Sequence, residues 1–238
     1  MKPPKLCIAL DNPSLESNLA LLNSLRPLSQ AKQAQIWLKV GLRSFIRDGV
    51  RGLDSIRARG DYKLFLDLKL YDIPNTMLDS ISECARLGVD MLTIHASCGF
   101  EAMRAIAALK ESHARFPLII AVTALTSFDN EGFEMVYNAP LFPHALRLAT
   151  LSHQAGIDGI VCSVNECAAI KARTQEGFLA ITPGIRPFGE SSGDQKRVAT
   201  LEDSKRAGSD FVVIGRPIYE AREPLDIVGK ILNTLQGE

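Results

Sequence analysis

The sequence has little that would tie it to a polyanion, a membrane or an oxidising compartment. Lys+Arg and Asp+Glu stand at 27 each, so no excess charge favours a nucleic acid or an anionic surface, and any bound anion must be held locally. No segment reaches the roughly 18 consecutive apolar residues that a membrane span requires, and the apolar run in MKPPKLCIALD is too short for a signal-peptide core. Cysteines 7, 84, 98, 162 and 167 include no CxxC pair. They read as free thiols in a reducing cytosol, and Cys162 and Cys167, five apart, form no redox motif. No low-complexity linker interrupts the chain. The expectation is a soluble, cytoplasmic protein.

What is present is a rhythm. Short apolar, β-rich runs begin at Lys5, Ile36, Lys63, Met91, Pro117, Ile157, Phe178 and Asp210. Most are separated by room for one helix and two short loops, as in a parallel sheet. Helical patterns at 76–87, 99–110, 143–155 and 223–235 fill such gaps. Eight βα units in 238 residues predict one α/β domain over 1–238, a (β/α)8 TIM barrel. The competing doubly wound sheet usually has GxGxxG after its first strand, where LDNPSLES stands instead.

The stretch KLFLDLKLYDIPNT, residues 63–76, puts charges into an otherwise buried strand. Alternation sends Leu64, Leu66, Leu68 and Leu70 to one face and Phe65, Asp67 and Lys69 to the other. In a barrel the second group points inward at the C-terminal rim, where barrel enzymes react. A lone Asp–Lys pair would be a bland rim contact. Other strand ends repeat the polarity, however: Asp11 after the first, Lys39 on the second, Thr126 and Ser127 after the fifth, Gly215 and Arg216 after the eighth. The segment at about 184–197, rich in Gly and Ser, has the length and polarity of a lid. With Gly215–Arg216 it occupies the place where many barrels hold phosphate. GESSGDQK lacks the spacing of a P-loop. His95 reads as a structural histidine without a second metal ligand at suitable spacing. His113, His144 and His153 read as surface or packing residues, and Trp37 as core or dimer packing.

These motifs resemble the orotidine 5′-phosphate decarboxylase family over essentially the whole chain. DLKLYDIPNT is similar to the family's DxKxxDIPNT, and ALD, KVG, LTS, TPGIRP, a lid glutamine and IGRPI follow in the family's order. The resemblance implies decarboxylation of orotidine 5′-phosphate to UMP, with Lys69 as proton donor and Asp67, Asp72 and Lys39 around it. It implies that Asp11 and Lys39 contact the ribose and that Thr126 and Ser127 meet the pyrimidine ring. Pro183, Arg186, Gln195, Gly215 and Arg216 would hold the phosphate or its lid. It implies a homodimer whose Asp72, Ile73 and Thr76 reach the partner's site, and no metal or organic cofactor. A magnesium-dependent phosphosugar decarboxylase or aldolase of the same superfamily is the alternative, though it would want an acidic residue where Leu66 stands. An inert phosphate-binding barrel would have no use for Lys69.

Overall fold

The computed structural model describes residues 2–112, 115–189 and 197–237. Eight strands close into one parallel barrel in chain order. They are β1 (Lys5–Ala9), β2 (Trp37–Gly41), β3 (Lys63–Leu70), β4 (Met91–His95), β5 (Leu118–Val122), β6 (Gly159–Val161), β7 (Leu179–Thr182) and β8 (Phe211–Ile214). The outer ring begins with α1 (Leu15–Ser24), α2 (Gln30–Gln33), α3 (Leu42–Arg57), α4 (Pro74–Arg86), α5 (Phe100–Leu109) and α6 (Asn130–Tyr137). It continues with α7 (Leu141–Gln154), α8 (Val164–Lys171), α9 (Leu201–Ala207), α10 (Arg216–Tyr219) and α11 (Pro224–Gln236). The expected strands and helices are all present, and their ends shift by a few residues. Among the described residues no helix is long and apolar enough to cross a membrane.

Strand alternation builds two cores. Cys7, Trp37, Phe65, Met91, Ile120 and Phe211 are among the side chains that fill the barrel's interior, and Trp37 meets Phe211 edge-on with ring centroids 5.1 Å apart. Trp37 is therefore core packing. The opposite parity, with Ile8, Leu38, Leu66, Leu92 and Ile214, packs outward into the larger helix-facing core. Local chemistry sets the helix ends. The Ser14 hydroxyl accepts the Ser17 N–H at 3.1 Å, and capping boxes open α8 with Ser163 and Glu166 and α9 with Thr200 and Asp203, satisfying amides the first turn leaves unpaired.

The N-terminal rim repeats one device. Gly88-Val89-Asp90, Gly156-Ile157-Asp158 and Gly208-Ser209-Asp210 precede β4, β6 and β8. Each glycine has a positive φ, at 67°, 83° and 80°, a conformation without a Cβ penalty there. Each aspartate then accepts a backbone N–H from the preceding strand: Leu64 at 2.9 Å, Ile119 at 2.7 Å and Ala180 at 2.7 Å. Each also pairs with a lysine, Lys63, Lys110 or Lys171.

Candidate active site

Climbing the inner face of the barrel, apolar side chains give way to charge. Ala9 leads to Asp11, Trp37 to Lys39, Phe65 to Asp67, and Val213 to Gly215; all but Trp37 line a cavity of about 480 Å³ at the C-terminal rim. Lys69, Pro183, Arg186 and Arg216 also line it. The inward period of two carries each strand from core to site.

At its centre Asp67, 8% exposed, lies between two lysines. Lys69 Nζ donates to Asp67 Oδ1 at 2.8 Å. Lys39 Nζ lies 3.5 Å from Asp67 Oδ2 and 3.4 Å from Asp11 Oδ2. Burial alone would raise the Asp67 carboxyl, but Lys39 and Lys69, together with hydrogen bonds from Lys69 and Thr93, outweigh it and hold it below the ordinary carboxylate value. Burial would likewise lower Lys39, and the Asp67 and Asp11 carboxylates reverse that and raise it. Both groups are held charged. A Cβ at Gly41 would stand 3.1 Å from Lys39 Nζ and 3.2 Å from Asp11 Oδ1, so glycine in KVG leaves room for this pair.

Strand β3 departs here from regular alternation. Leu66 pairs with Leu92 but Leu70 with Ile94, so four steps along β3 match two along β4. Lys69 absorbs the mismatch with φ at +53°, a left-handed conformation that costs a non-glycine residue about 1–3 kcal/mol. Its N–H donates to the Thr93 hydroxyl at 2.8 Å. Leu68 and Leu70 still pack against the outer core, while the Lys69 ammonium turns back to Asp67.

The other expected residues are distributed unevenly. Thr126 is buried and Ser127 exposed just past β5, and neither lines the cavity. Asp72, Ile73 and Thr76 are exposed at the entry to α4. Asp72 Oδ1 accepts the Ile73 N–H at 2.7 Å. Gln195, within the expected lid, lies outside the described residues, as does His113. His95 accepts the Ser97 N–H and stacks on Tyr71 at 5.8 Å. Burial, then the nearby Lys69 charge, lowers its pKa, and its hydrogen bond fits the structural histidine expected. Among the described residues no three His, Cys, Asp or Glu side chains gather as a metal site.

Arg43 and Tyr219 also line the cavity, and the sequence reading did not single them out. The signal for Arg43 was a cation two residues past the KVG glycine. Thr93 was missed too, a polar residue of inward parity inside the apolar run MLTIH.

The chain is similar to known proteins along nearly its whole length. The family described as Orotidine 5′-phosphate decarboxylase / HUMPS matches residues 4–231. A protein of Wolinella succinogenes named orotidine 5′-phosphate decarboxylase is 56% identical over 229 residues, spanning 96% of this chain and 98% of that one. One of the same name from Nitratiruptor sp. is 51% identical over 232 residues, spanning 97% and 100%. The crystal structure of orotidine 5′-phosphate decarboxylase from Lactobacillus acidophilus superposes with a TM-score of 0.82 at 29% identity, covering 98% of this chain and 99% of that one.

Proposed function

The chain belongs to the orotidine 5′-phosphate decarboxylase / HUMPS family, and from that premise we propose how its residues divide the work. It is a carboxy-lyase that converts orotidine 5′-phosphate to UMP in pyrimidine biosynthesis. The observation that carries the assignment of roles is the Asp67 carboxylate held between Lys39 and Lys69 at the floor of a cavity that Arg216 also lines.

The C6–carboxylate bond breaks heterolytically, carbon dioxide leaves, and the electron pair stays in an in-plane C6 orbital that the ring delocalises poorly. A preorganised positive charge must stabilise it. Lys69 supplies that charge, then transfers its proton to C6 to give UMP and regains one from solvent. Asp67 fixes the ammonium by the 2.8 Å hydrogen bond and disfavours a second carboxylate beside it. Lys39 and Asp11 offer a donor and an acceptor to the ribose hydroxyls. Arg216 and Arg186, with the backbone N–H of Gly215 and the ring of Pro183 beside them, form the phosphate end, whose remote binding energy serves the reacting carbon. Thr126 and Ser127 lie just past β5 and do not line the cavity, so their assignment to the ring edge rests on the family resemblance. The reaction as written uses no metal or cofactor, and buried Leu66 stands where a metal-dependent relative would need a carboxylate.

The working unit is a homodimer in the cytoplasm. Tyr71 and Ile73 are 64% and 67% exposed, and Leu42 and Ile46 of the preceding helix 49% and 78%. Apolar surface of this kind, next to the site, is suited to a second copy. Asp72, Ile73 and Thr76 would then complete the partner's cavity. The five free cysteines suit a reducing compartment.

Ultraviolet absorbance after orotidine 5′-phosphate is added in EDTA tests the assignment. Conversion to UMP at an undiminished rate is expected. Activity that appears only when magnesium is restored would move the chain to the phosphosugar branch of its superfamily.

A further inference from the structure

We propose that Thr93, which does not line the cavity, is a positioning residue that sets the geometry of the Asp67–Lys69 pair. The inference rests on the decarboxylase reading above and adds a residue to it. Thr93 is fully buried in the middle of β4. Its hydroxyl donates to Asp67 Oδ1 at 2.9 Å and accepts the Lys69 backbone N–H at 2.8 Å. The single hydroxyl proton is spent on the carboxylate and a lone pair on the amide, so the hydroxyl's orientation is determined.

Both bonds act on the same pair. Asp67 Oδ1 receives the Lys69 ammonium at 2.8 Å and the Thr93 hydroxyl, which leaves Oδ2 toward Lys39. The Lys69 amide that Thr93 captures belongs to the residue with φ at +53°, where β3 slips against β4. Without an acceptor at that point the slip would leave a partly buried amide without its hydrogen bond. One hydroxyl thus ties the carboxylate's rotation to the backbone turn from which the lysine departs. Buried threonines of outward parity at the ends of β5 and β7 are used differently. Thr123 donates to the Val161 carbonyl, and Thr182 bonds the Phe211 carbonyl and Ser209. Those hydroxyls serve the sheet, whereas that of Thr93 serves the site.

Thr93→Val keeps the shape and removes both bonds. Measured on the full-length chain beside the parent, it should lower kcat on the order of 10–100-fold, as sub-ångström misplacement of a reacting group does. KM and the dissociation constant of UMP should stay within about threefold, because the phosphate and ribose contacts remain. Thr93→Ser, which restores the hydroxyl, should recover most of kcat. Parental kcat in folded Thr93→Val overturns the proposal. So does a loss shared equally by kcat and UMP affinity that serine does not rescue, since that marks a purely structural role. Should Thr93→Val not accumulate as folded protein, Thr93→Ala carries the same expectation and the same refutation. A parent that releases no carbon dioxide would overturn the functional reading, and this proposal with it.

Discussion

The two rims of the barrel both carry aspartate–lysine pairs, and they use them in opposite ways. At the N-terminal rim each carboxylate of Asp90, Asp158 and Asp210 receives a strand amide as well as a lysine. Its hydrogen-bonding capacity goes to closing gaps in the sheet. At the C-terminal rim the groups around the Asp67 carboxylate are instead two ammonium groups and one hydroxyl, at the floor of a cavity. The ion pair alone therefore does not distinguish a stabilising contact from a reaction centre. The other partners of the carboxylate do, because a backbone amide commits it to the fold while a second cation beside open space leaves charge available to a ligand.

Removing one member of each pair should sharpen this contrast. The largest effect is expected from Lys69→Ala at the upper rim. Losing the proton donor and the stabilising charge together should cost at least about 10³-fold in kcat, with thermal unfolding close to that of the parent. Mixing these chains with inactive Asp72→Ala chains should restore part of the activity, because one site of the mixed dimer is then intact. Failure to restore it would break the shared-site arrangement. Next comes Arg216→Ala, which should raise KM and lower kcat together, for a combined loss on the order of 10²-fold in kcat/KM as a charge-assisted phosphate grip is removed. An unchanged rate at every substrate concentration would refute the phosphate assignment.

The smallest effect on turnover belongs to the lower rim. Asp158→Ala strands the Ile119 amide and should cost about 1–3 kcal/mol of stability, a fall in Tm of roughly 2–4 °C per kcal/mol for a chain of this size. Its kcat should stay within about twofold, since the reacting geometry is untouched. A matching collapse of kcat would show that the two rims are coupled, and the contrast would fail.

Much of this was legible in the residues. The apolar runs located all eight strands because parallel strands buried on both faces leave little doubt about period or length. Inward parity carried Asp11, Lys39 and Asp67 to one rim for the same reason. The slip at Lys69 was not legible. Ideal alternation assumes that β3 and β4 advance together, and the departure depends on Thr93, which lies 24 positions farther along. Arg43 and Tyr219 escaped notice because they sit on the helices after β2 and β8, where the strand period no longer says which way a side chain points.

Local period and strand count suffice to specify the barrel, the polar rim and its charged residues, because they leave few ways to bury these runs. Which charges meet is settled only when the barrel closes. Asp67 is sandwiched by lysines two and 28 residues away, Lys69 takes a strained turn that another strand stabilises, and Asp72 is left facing outward. Those outcomes depend on register between strands distant in the chain, and register is a property of the closed sheet.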